Sequence, residues 1–397
     1  MSWLPVMREM KGGRQVSMLL FMPWCPIDSR YETDEISILP YDRDAPIECV
    51  DDLSRSRINK IMRVWRDIEG NPMQRAAVVR YGDKSLIEDL DEEEIETVYE
   101  LVSLACFSGL ANRDYCQSLG AYCNTDCFAL HVQKFDEADS IALVLRRREG
   151  RTLSLWSFDD ISVTIPVHCH TIRLVSLDKP LLDALISHRT ELGGGQWGRW
   201  QNAIGCFNQA NRDSDSIPYQ VEWVLLCSAL EHLLEAKANA KDIARRFSEN
   251  ITPRRDVLAS AANRRSETWP ADRKTLRYEW MREFYRIRGD FAHGRLNSRQ
   301  SVVWNPLEHL VLATIAFPLV AKSLLNKVGK YTMTDNDGAQ IDCFERFADT
   351  KDFLRPPPDP TGSTDSHWSR LVRECAWDRA FDDAIGKIPG AGESPGE

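Results

Sequence analysis

Arg288 and His293 form the spacing R-x4-H at the end of a predicted helix in the C-terminal half of the chain. The apolar residues Leu276, Trp280 and Phe284 recur at every fourth position of that helix, and Arg288 stands where the next apolar residue should be. An arginine is charged at physiological pH and is rarely buried without a partner. We therefore expect Arg288 to meet a carboxylate or a phosphate.

A histidine and an arginine at this spacing supply the two groups that metal-free cleavage of RNA needs. The 2′-hydroxyl of RNA must lose a proton before it attacks the adjacent phosphorus and leaves a 2′,3′-cyclic phosphate. A histidine, with a pKa of about 6.5, can accept that proton or donate one to the leaving oxygen. An arginine keeps its proton, but its planar fork can hold two phosphate oxygens as negative charge develops. His293 and Arg288 suit these two roles.

The surroundings of the motif make it more specific. An amphipathic helix leads into it, Ala292, His293 and Gly294 terminate that helix, and an apolar helix begins at Pro306. This arrangement resembles the HEPN superfamily of small helical nuclease domains, in particular the ApeA-like branch, over about residues 219–328. The resemblance implies an endoribonuclease that needs no metal or cofactor. It also implies a homodimer in which two R-x4-H motifs form one composite site.

The resemblance extends to the residues beside the motif and to a biological role. In the family the residue after the arginine is commonly polar, whereas here it is Gly289, and Asp290 follows one place later as the candidate to orient His293. Family members suggest a toxin-like effector of bacterial anti-phage defence by abortive infection. In that role the nuclease is held inactive until a phage or cellular trigger appears.

Glu231 occupies a position at which the family often has an acidic residue on the preceding helix, so it is the candidate partner of Arg288 or Arg286. Arg286 forms an overlapping R-x6-H with His293 and is a candidate second phosphate contact. A structural interpretation stays open, in which Arg288 and Glu231 form a buried ion pair that fixes helix register and His293 caps the helix end. The domain would then be a catalytically silent HEPN-like scaffold for RNA binding or dimerisation.

The charge of the chain is unevenly distributed. The formal net charge is −10, yet residues 241–300 hold 15 Lys and Arg against 8 Asp and Glu, a local balance of +7. A basic surface on an otherwise acidic protein is expected where one face meets phosphates, and it favours RNA as the partner. An exposed helix face with solvated arginines explains the same numbers.

The pattern of apolar residues predicts an α+β protein in four parts. Residues 1–190 contain short segments rich in β-branched and aromatic residues, which predict a strand-rich mixed domain with a sensor or specificity role. Residues 191–216, with three consecutive glycines and a polar run, are expected to form a linker loop. From Tyr219 apolar residues recur at helical spacing in several segments, and residues 217–330 are expected to form the HEPN-like helical nuclease domain. Residues 331–397 are expected to form an extension with one amphipathic helix and a disordered tail.

The helix expected from Pro306 is apolar on nearly all sides, so we expect it to be buried, and a second copy of the chain is the simplest cover for it. His309 on this helix is interpreted as a core histidine. The longest apolar stretch, residues 310–321, has twelve residues including Pro318, which falls short of a membrane span. With no basic and apolar leader at the start, the expected location is cytoplasmic.

Eleven cysteines without regular spacing favour reduced thiols over a disulfide framework. Cys116, Cys123, Cys127 and His131 are the nearest approach to a metal site. Against a zinc site, no C-x2-C pair exists, and residues 127–132 alternate like a strand, which would send neighbouring side chains to opposite faces.

Overall fold

The structure is a computed structural model that describes residues 17–45, 52–116, 121–135, 140–148, 150–171, 173–267, 269, 274–292, 302–355 and 365–386. His293 lies outside the described residues. In the described part of the chain an antiparallel sheet is followed by helices, so the predicted α+β class is confirmed. The chain divides into two compact units, one of residues 1–113 and 121–179 and the other of residues 114–120 and 180–397.

An antiparallel sheet forms the first unit. Its strand order is β2-β3-β5-β1-β7-β8-β9, and β6 pairs with β1 off this path. Leu20 in β1 lies opposite Val79 of β5 and Val132 of β7, and all three are buried because their strands lie in the middle of the sheet. The strands are β1 (Ser17–Met22), β2 (Tyr31–Glu32), β3 (Ile36–Asp42), β4 (Trp65–Arg66), β5 (Arg75–Tyr81), β6 (Ile87–Glu88), β7 (His131–Phe135), β8 (Ser140–Arg147), β9 (Gly150–Ser157) and β10 (Val163–Thr164).

Two helices belong to the same unit, α1 (Asp52–Met62) and α2 (Glu92–Ala111). Asp91 caps α2, since its side chain accepts the backbone N–H of Glu94 while the Glu94 side chain accepts that of Asp91. Strands β4 and β10 form a separate parallel pair. Two isolated bridges also occur in this unit, Cys123 with Thr171 and Ile27 with Val175.

The second unit is helical in the part that the structure describes. Its helices are α3 (Lys179–Glu191), α4 (Gly194–Ala210), α5 (Tyr219–Leu233), α6 (Ala240–Asn250), α7 (Leu276–Ala292), α8 (Pro306–Lys327), α9 (Asp335–Ala348) and α10 (His367–Gly386). The start of α8 follows the sequence rule for helix ends, because Asn305 caps it and Pro306 occupies the first helical position, where no N–H is needed.

The expected linker loop over residues 191–216 is wrong for most of its length, since α4 occupies it. Glycines at 194, 195, 198 and 205 lower the intrinsic helix propensity of this segment, which is why the sequence suggests a loop. Packing outweighs that preference. Trp197, Ile204 and Phe207 of α4 are buried, and the Phe207 ring stacks on Phe317 of α8 at 4.5 Å between centroids.

The C-terminal extension contains two helices, α9 and α10, where one was expected. Thr334 caps α9 by accepting the N–H of Asp337, and the Asp337 carboxylate accepts the N–H of Thr334 in return. Both helices fall in the same compact unit as α5 and α7. They are therefore part of the helical unit and not an appendage to it.

Helix α8 is covered by helices of its own unit. Helices α5, α6 and α9 pack against it, and α4 contributes Phe207. It is the one helix in the described part that is long and apolar enough to span a membrane, and 72% of its most apolar window is buried, as in a core helix. Helices of the same unit therefore supply most of the cover that was expected from a second copy. Homodimerisation stays a prediction that rests on the resemblance.

Candidate functional site

The packing of α5 on α7 holds the backbone of the site. Trp223 of α5 stacks on Phe284 of α7 with 5.0 Å between ring centroids, and its Nε1 donates a 2.9 Å hydrogen bond to the Phe284 carbonyl oxygen. Phe291, in the last turn of α7, meets the same Trp223 ring edge-on at 5.2 Å. These contacts fix both sides of Arg288 along the helix, so the direction in which its side chain leaves α7 is set by the core.

Arg288, Glu231 and Tyr285 form what we call the Arg288 cluster. Arg288 Nη2 lies 3.4 Å from Glu231 Oε2, and Arg288 Nη1 donates a 3.1 Å hydrogen bond to the Tyr285 hydroxyl. The guanidinium carbon also lies 5.2 Å from the centroid of the Tyr285 ring. The carboxylate partner that we expected for Arg288 is therefore Glu231 on α5.

The guanidinium of Arg288 is only partly covered. Its side chain is 29% exposed and that of Glu231 is 20% exposed, so the pair is not a sealed core ion pair. Arg288 Nε is buried and has no hydrogen-bond partner among the residues that the structure describes. A buried donor of this kind is uncommon and calls for an acceptor. The fork thus keeps donor capacity for an additional oxygen ligand.

Tyr285 is a member of the site that the sequence analysis missed. Burial raises the pKa of its hydroxyl to about 12, while the charge of Arg288 acts in the opposite direction. It therefore stays neutral at physiological pH and serves as a hydrogen-bonding support for Arg288. Tyr285 lies three residues before Arg288, on the same side of the helix, and this spacing could have identified it from the sequence.

The structure brings some of the predicted site residues together and leaves others unplaced. Arg288 and Glu231 meet directly. Arg286 and Asp290 lie partly buried on α7. His293 directly follows the last residue of α7 in sequence and lies outside the described residues.

The chain resumes after this segment at a point that is held firmly against α7. The Glu283 carboxylate accepts the backbone N–H groups of Val303 at 3.0 Å and Trp304 at 3.3 Å. Arg264 donates to the carbonyl oxygen of Val303, and it also forms a buried ion pair with Glu308 at 2.7 Å. Both flanks of residues 293–301, the end of α7 and the start of α8, are therefore fixed in the helical unit.

His309 supports this anchor from the core. It is fully buried on α8, and its Nε2 lies 3.1 Å from Glu283 Oε1. Burial lowers the pKa of His309, against the raising effect of Glu283, so the ring is neutral and Nε2 donates to the carboxylate. The interpretation as a core histidine is supported by this burial and hydrogen bond, although its Nδ1 has no partner in the described part of the chain.

The basic balance of residues 241–300 is largely met by carboxylates. Eight of the twelve basic residues described between 241 and 292 form ion pairs, namely Arg245, Arg246, Arg254, Arg255, Arg264, Arg277, Arg282 and Arg288. Several partners lie outside the segment, including Glu308, Glu345 and Asp383. The surplus counted from the sequence is therefore not displayed as one basic surface, which weakens charge as an argument for RNA.

The cysteine cluster of the first unit does not have the arrangement of a zinc site. Cys127 lies in a 3-10 helix, Thr125–Phe128, where a strand was expected, and its sulfur is 3.7 Å from that of Cys169. His131 turns instead into an aromatic pocket, 4.2 Å from the Trp65 ring. Among the described residues no group of three or more His, Cys, Asp or Glu side chains is arranged to hold a metal ion.

The chain was compared with protein families, curated proteins and solved structures. No family model, no curated protein and no solved structure matches the chain. Its function must therefore be argued from the site itself.

Proposed function

We propose that the chain is a metal-independent endoribonuclease of HEPN type, with Arg288 and His293 as its catalytic residues. The observation that carries the proposal is the Arg288 cluster. A partly exposed guanidinium stands five residues before a histidine, and it is oriented by a carboxylate and a neutral hydroxyl. RNA cleavage through a 2′,3′-cyclic phosphate needs this pair of groups, a fixed cation and a proton carrier.

The ion pair with Glu231 supports this role through orientation. A guanidinium has five N–H donors. In Arg288, Nη2 contacts Glu231 and Nη1 contacts Tyr285. Since both partners also restrict the torsions of a long side chain, Arg288 is preorganised before a phosphate arrives. Each Nη nitrogen carries a second N–H, and the 29% exposure of the side chain leaves room for a phosphate oxygen to approach the fork.

The fixed flanks of residues 293–301 support the role of His293. A catalytic group needs rigid elements beside it, and the described elements that precede and follow His293 in the chain are held in the helical unit. Glu283 and Arg264 provide one anchor at Val303, and the Trp223 contact with Phe291 provides the other. Asp290 and Arg286 remain supporting candidates, as an orienting carboxylate and a second phosphate contact.

The remaining parts of the proposal follow the resemblance. The protein acts on RNA in the cytoplasm as a homodimer with a composite site, and it serves anti-phage defence by abortive infection. The sheet unit acts as the sensor of a phage or cellular trigger.

A catalytically silent scaffold is the second candidate, and the same ion pair favours it. In that case Arg288 and Glu231 fix the register of α7 against α5, and the neutralised arginines belong to a fold-stabilising network. The two functions differ in what removal of His293 does. It abolishes an activity in the first and changes at most RNA binding or dimerisation in the second.

The test uses the purified full-length protein on total cellular RNA and on a labelled synthetic RNA in excess EDTA. Arg288→Ala is compared with Arg245→Ala, because Arg245 is also an ion-paired arginine of the helical unit, 2.8 Å from Glu249, and both of those side chains are more than half exposed. His293→Ala is compared with His170→Ala, since His170 is an exposed histidine of the sheet unit. We expect the first member of each pair to lose cleavage and the second to retain it.

Melting temperatures of all four variants separate loss of activity from loss of fold. Cleavage that survives His293→Ala would remove the catalytic assignment. Cleavage that needs a divalent metal would remove the mechanism. A wild-type protein that binds the RNA without cutting it would favour the scaffold.

A further inference from the structure

A cavity of about 280 Å³ lies between α9, α10 and the chain that follows α6, away from the Arg288 cluster. Four arginines line it, Arg254, Arg255, Arg346 and Arg379, and Cys375 of α10 forms part of its wall. Cys375 as a whole is only 2% exposed, so the cavity is its route to small solutes. A cysteine beside cations and open to small molecules is the environment in which thiols react.

Arg346 of α9 is the cation in direct contact with this thiol. Its Nη1 lies 3.2 Å from Cys375 Sγ, within hydrogen-bond distance for sulfur. A guanidinium at this distance favours the thiolate over the thiol, because the negative sulfur gains both the charge and the hydrogen bond.

A second thiol lies beside the first. Cys343 of α9 is fully buried, and its thiol donates to the Gln340 carbonyl oxygen at 3.5 Å. Its interaction with Cys375 is the largest influence that lowers the pKa of Cys375, ahead of Arg346. Burial raises the pKa of Cys343 well above the ordinary value. Cys375, which has the guanidinium beside it and the cavity in front of it, is therefore the better thiolate of the two.

Several groups oppose the thiolate and must be weighed against Arg346. The charge of Asp342 raises the pKa of Cys375, and so does its burial. Glu374 and Asp378 share Arg346, at 3.4 Å and 3.2 Å. The net effect on Cys375 is still a pKa below the ordinary value. The other three arginines of the cavity are each paired with an aspartate, Arg254 with Asp383, Arg255 with Asp382 and Arg379 with Asp342, so Arg346 is the cation that acts on the thiol by direct contact.

We propose that Cys375 is a peroxide-reactive thiol and that Cys343 resolves its oxidised form into a Cys343–Cys375 disulfide. The Cys375 thiolate attacks hydrogen peroxide, so that an S–O bond forms, the O–O bond breaks and hydroxide leaves to take up a proton as water. Cys375 is oxidised by two electrons to a sulfenic acid, and the peroxide is reduced. Cys343 then loses its proton and attacks the Cys375 sulfur, the S–O bond breaks and a second water leaves. The disulfide links α9 to α10.

The test exposes the full-length protein to hydrogen peroxide, quenches it in acid and denaturant with N-ethylmaleimide, and maps disulfides and labelled thiols by mass spectrometry. Cys206 of α4 is the matched control. It is more exposed than Cys375, but burial raises its pKa and no cation contributes to that shift. We expect the Cys343–Cys375 disulfide to form while Cys206 stays reduced. In Cys343→Ser, a sulfenic acid that dimedone traps should accumulate on Cys375.

The pH dependence of Cys375 oxidation in the unaltered protein tests the role of the thiolate. Its midpoint should lie below that of an ordinary thiol and should move upward in Arg346→Gln, with about tenfold slower oxidation at neutral pH for each unit of pKa gained. If Cys206 is oxidised before Cys375, the proposal is overturned, since exposure alone would then determine which thiol reacts. So would a Cys375 profile with an ordinary midpoint, which can be measured even if Arg346→Gln fails to fold.

Discussion

Acidification should destabilise the sheet unit through one histidine, His131 of β7. Its ring is packed among Phe21, Trp24 and Trp65, with centroids 5.9 Å, 5.5 Å and 4.2 Å away. Its Nε2 is buried without a hydrogen-bond partner in the described part of the chain. Burial therefore lowers the pKa of His131 to about 4 from an ordinary value of 6.5.

The sign of the effect follows from which state holds the proton. Above about pH 6.5 the ring is neutral in both the folded and the unfolded chain, and the full stability is present. As the pH falls, the unfolded chain takes up a proton that the folded sheet resists until about pH 4, so the free energy of unfolding decreases. A pKa difference of about 2.5 units amounts to about 3 kcal/mol, of which about 2 kcal/mol is lost between pH 7.5 and pH 5.

The assay compares the wild type with His131→Phe, which fills the aromatic pocket without a titrating group. Hydrogen exchange of β1 and β7 amides, followed by mass spectrometry, reports the sheet locally, because His188, His309 and His367 of the helical unit also have lowered pKa values. Between pH 7.5 and pH 5 the wild type should lose about 2 kcal/mol more local stability than the variant. Equal losses in both proteins, or a His131 NMR titration centred near pH 6.5, would refute the reasoning.

Three further results are expected. Arg264→Ala should destabilise the helical unit by about 3 to 5 kcal/mol in urea unfolding, because it leaves the 2% exposed Glu308 without its partner. Arg245→Ala should cost at most about 1 kcal/mol, since the Arg245 and Glu249 side chains are more than half exposed. Glu231→Gln should slow RNA cleavage while shifting the free energy of unfolding by about 1 kcal/mol or less; unchanged cleavage would indicate that Glu231 serves helix register alone. Arg288→Ala should reduce the salt dependence of RNA binding by about one phosphate contact, and Arg245→Ala should not; equal slopes in filter binding would argue against a phosphate at Arg288.

The sequence could predict those elements whose own residues decide their structure. The strands β3 and β5 follow from their β-branched and aromatic residues, and α8 follows from Asn305 and Pro306 at its start. It could not predict α4, where glycines argue for a loop and burial of Trp197 and Phe207 decides for a helix. Local preference is a weak guide when long-range packing opposes it.

The candidate site divides in the same way. The apolar stripe on α7 requires a partner for Arg288, and the family resemblance suggests Glu231, which lies on α5 with its carboxylate 3.4 Å from the guanidinium. The ion pairs of the other arginines could not be predicted, because their partners are distant in sequence, as Asp383 is from Arg254. A charge balance counted along the chain therefore overestimates the charge that a surface displays.

The central claim is that the 2′-hydroxyl of RNA is the nucleophile and that His293 and Arg288 assist its attack. The most direct measurement maps a cleaved bond in a synthetic RNA and then replaces the 2′-hydroxyl of that one nucleotide with hydrogen, in excess EDTA. We predict that cleavage of this bond disappears and that the unmodified RNA yields a 2′,3′-cyclic phosphate end. Continued cleavage at the deoxynucleotide, or a product with a free 3′-hydroxyl, would contradict the mechanism.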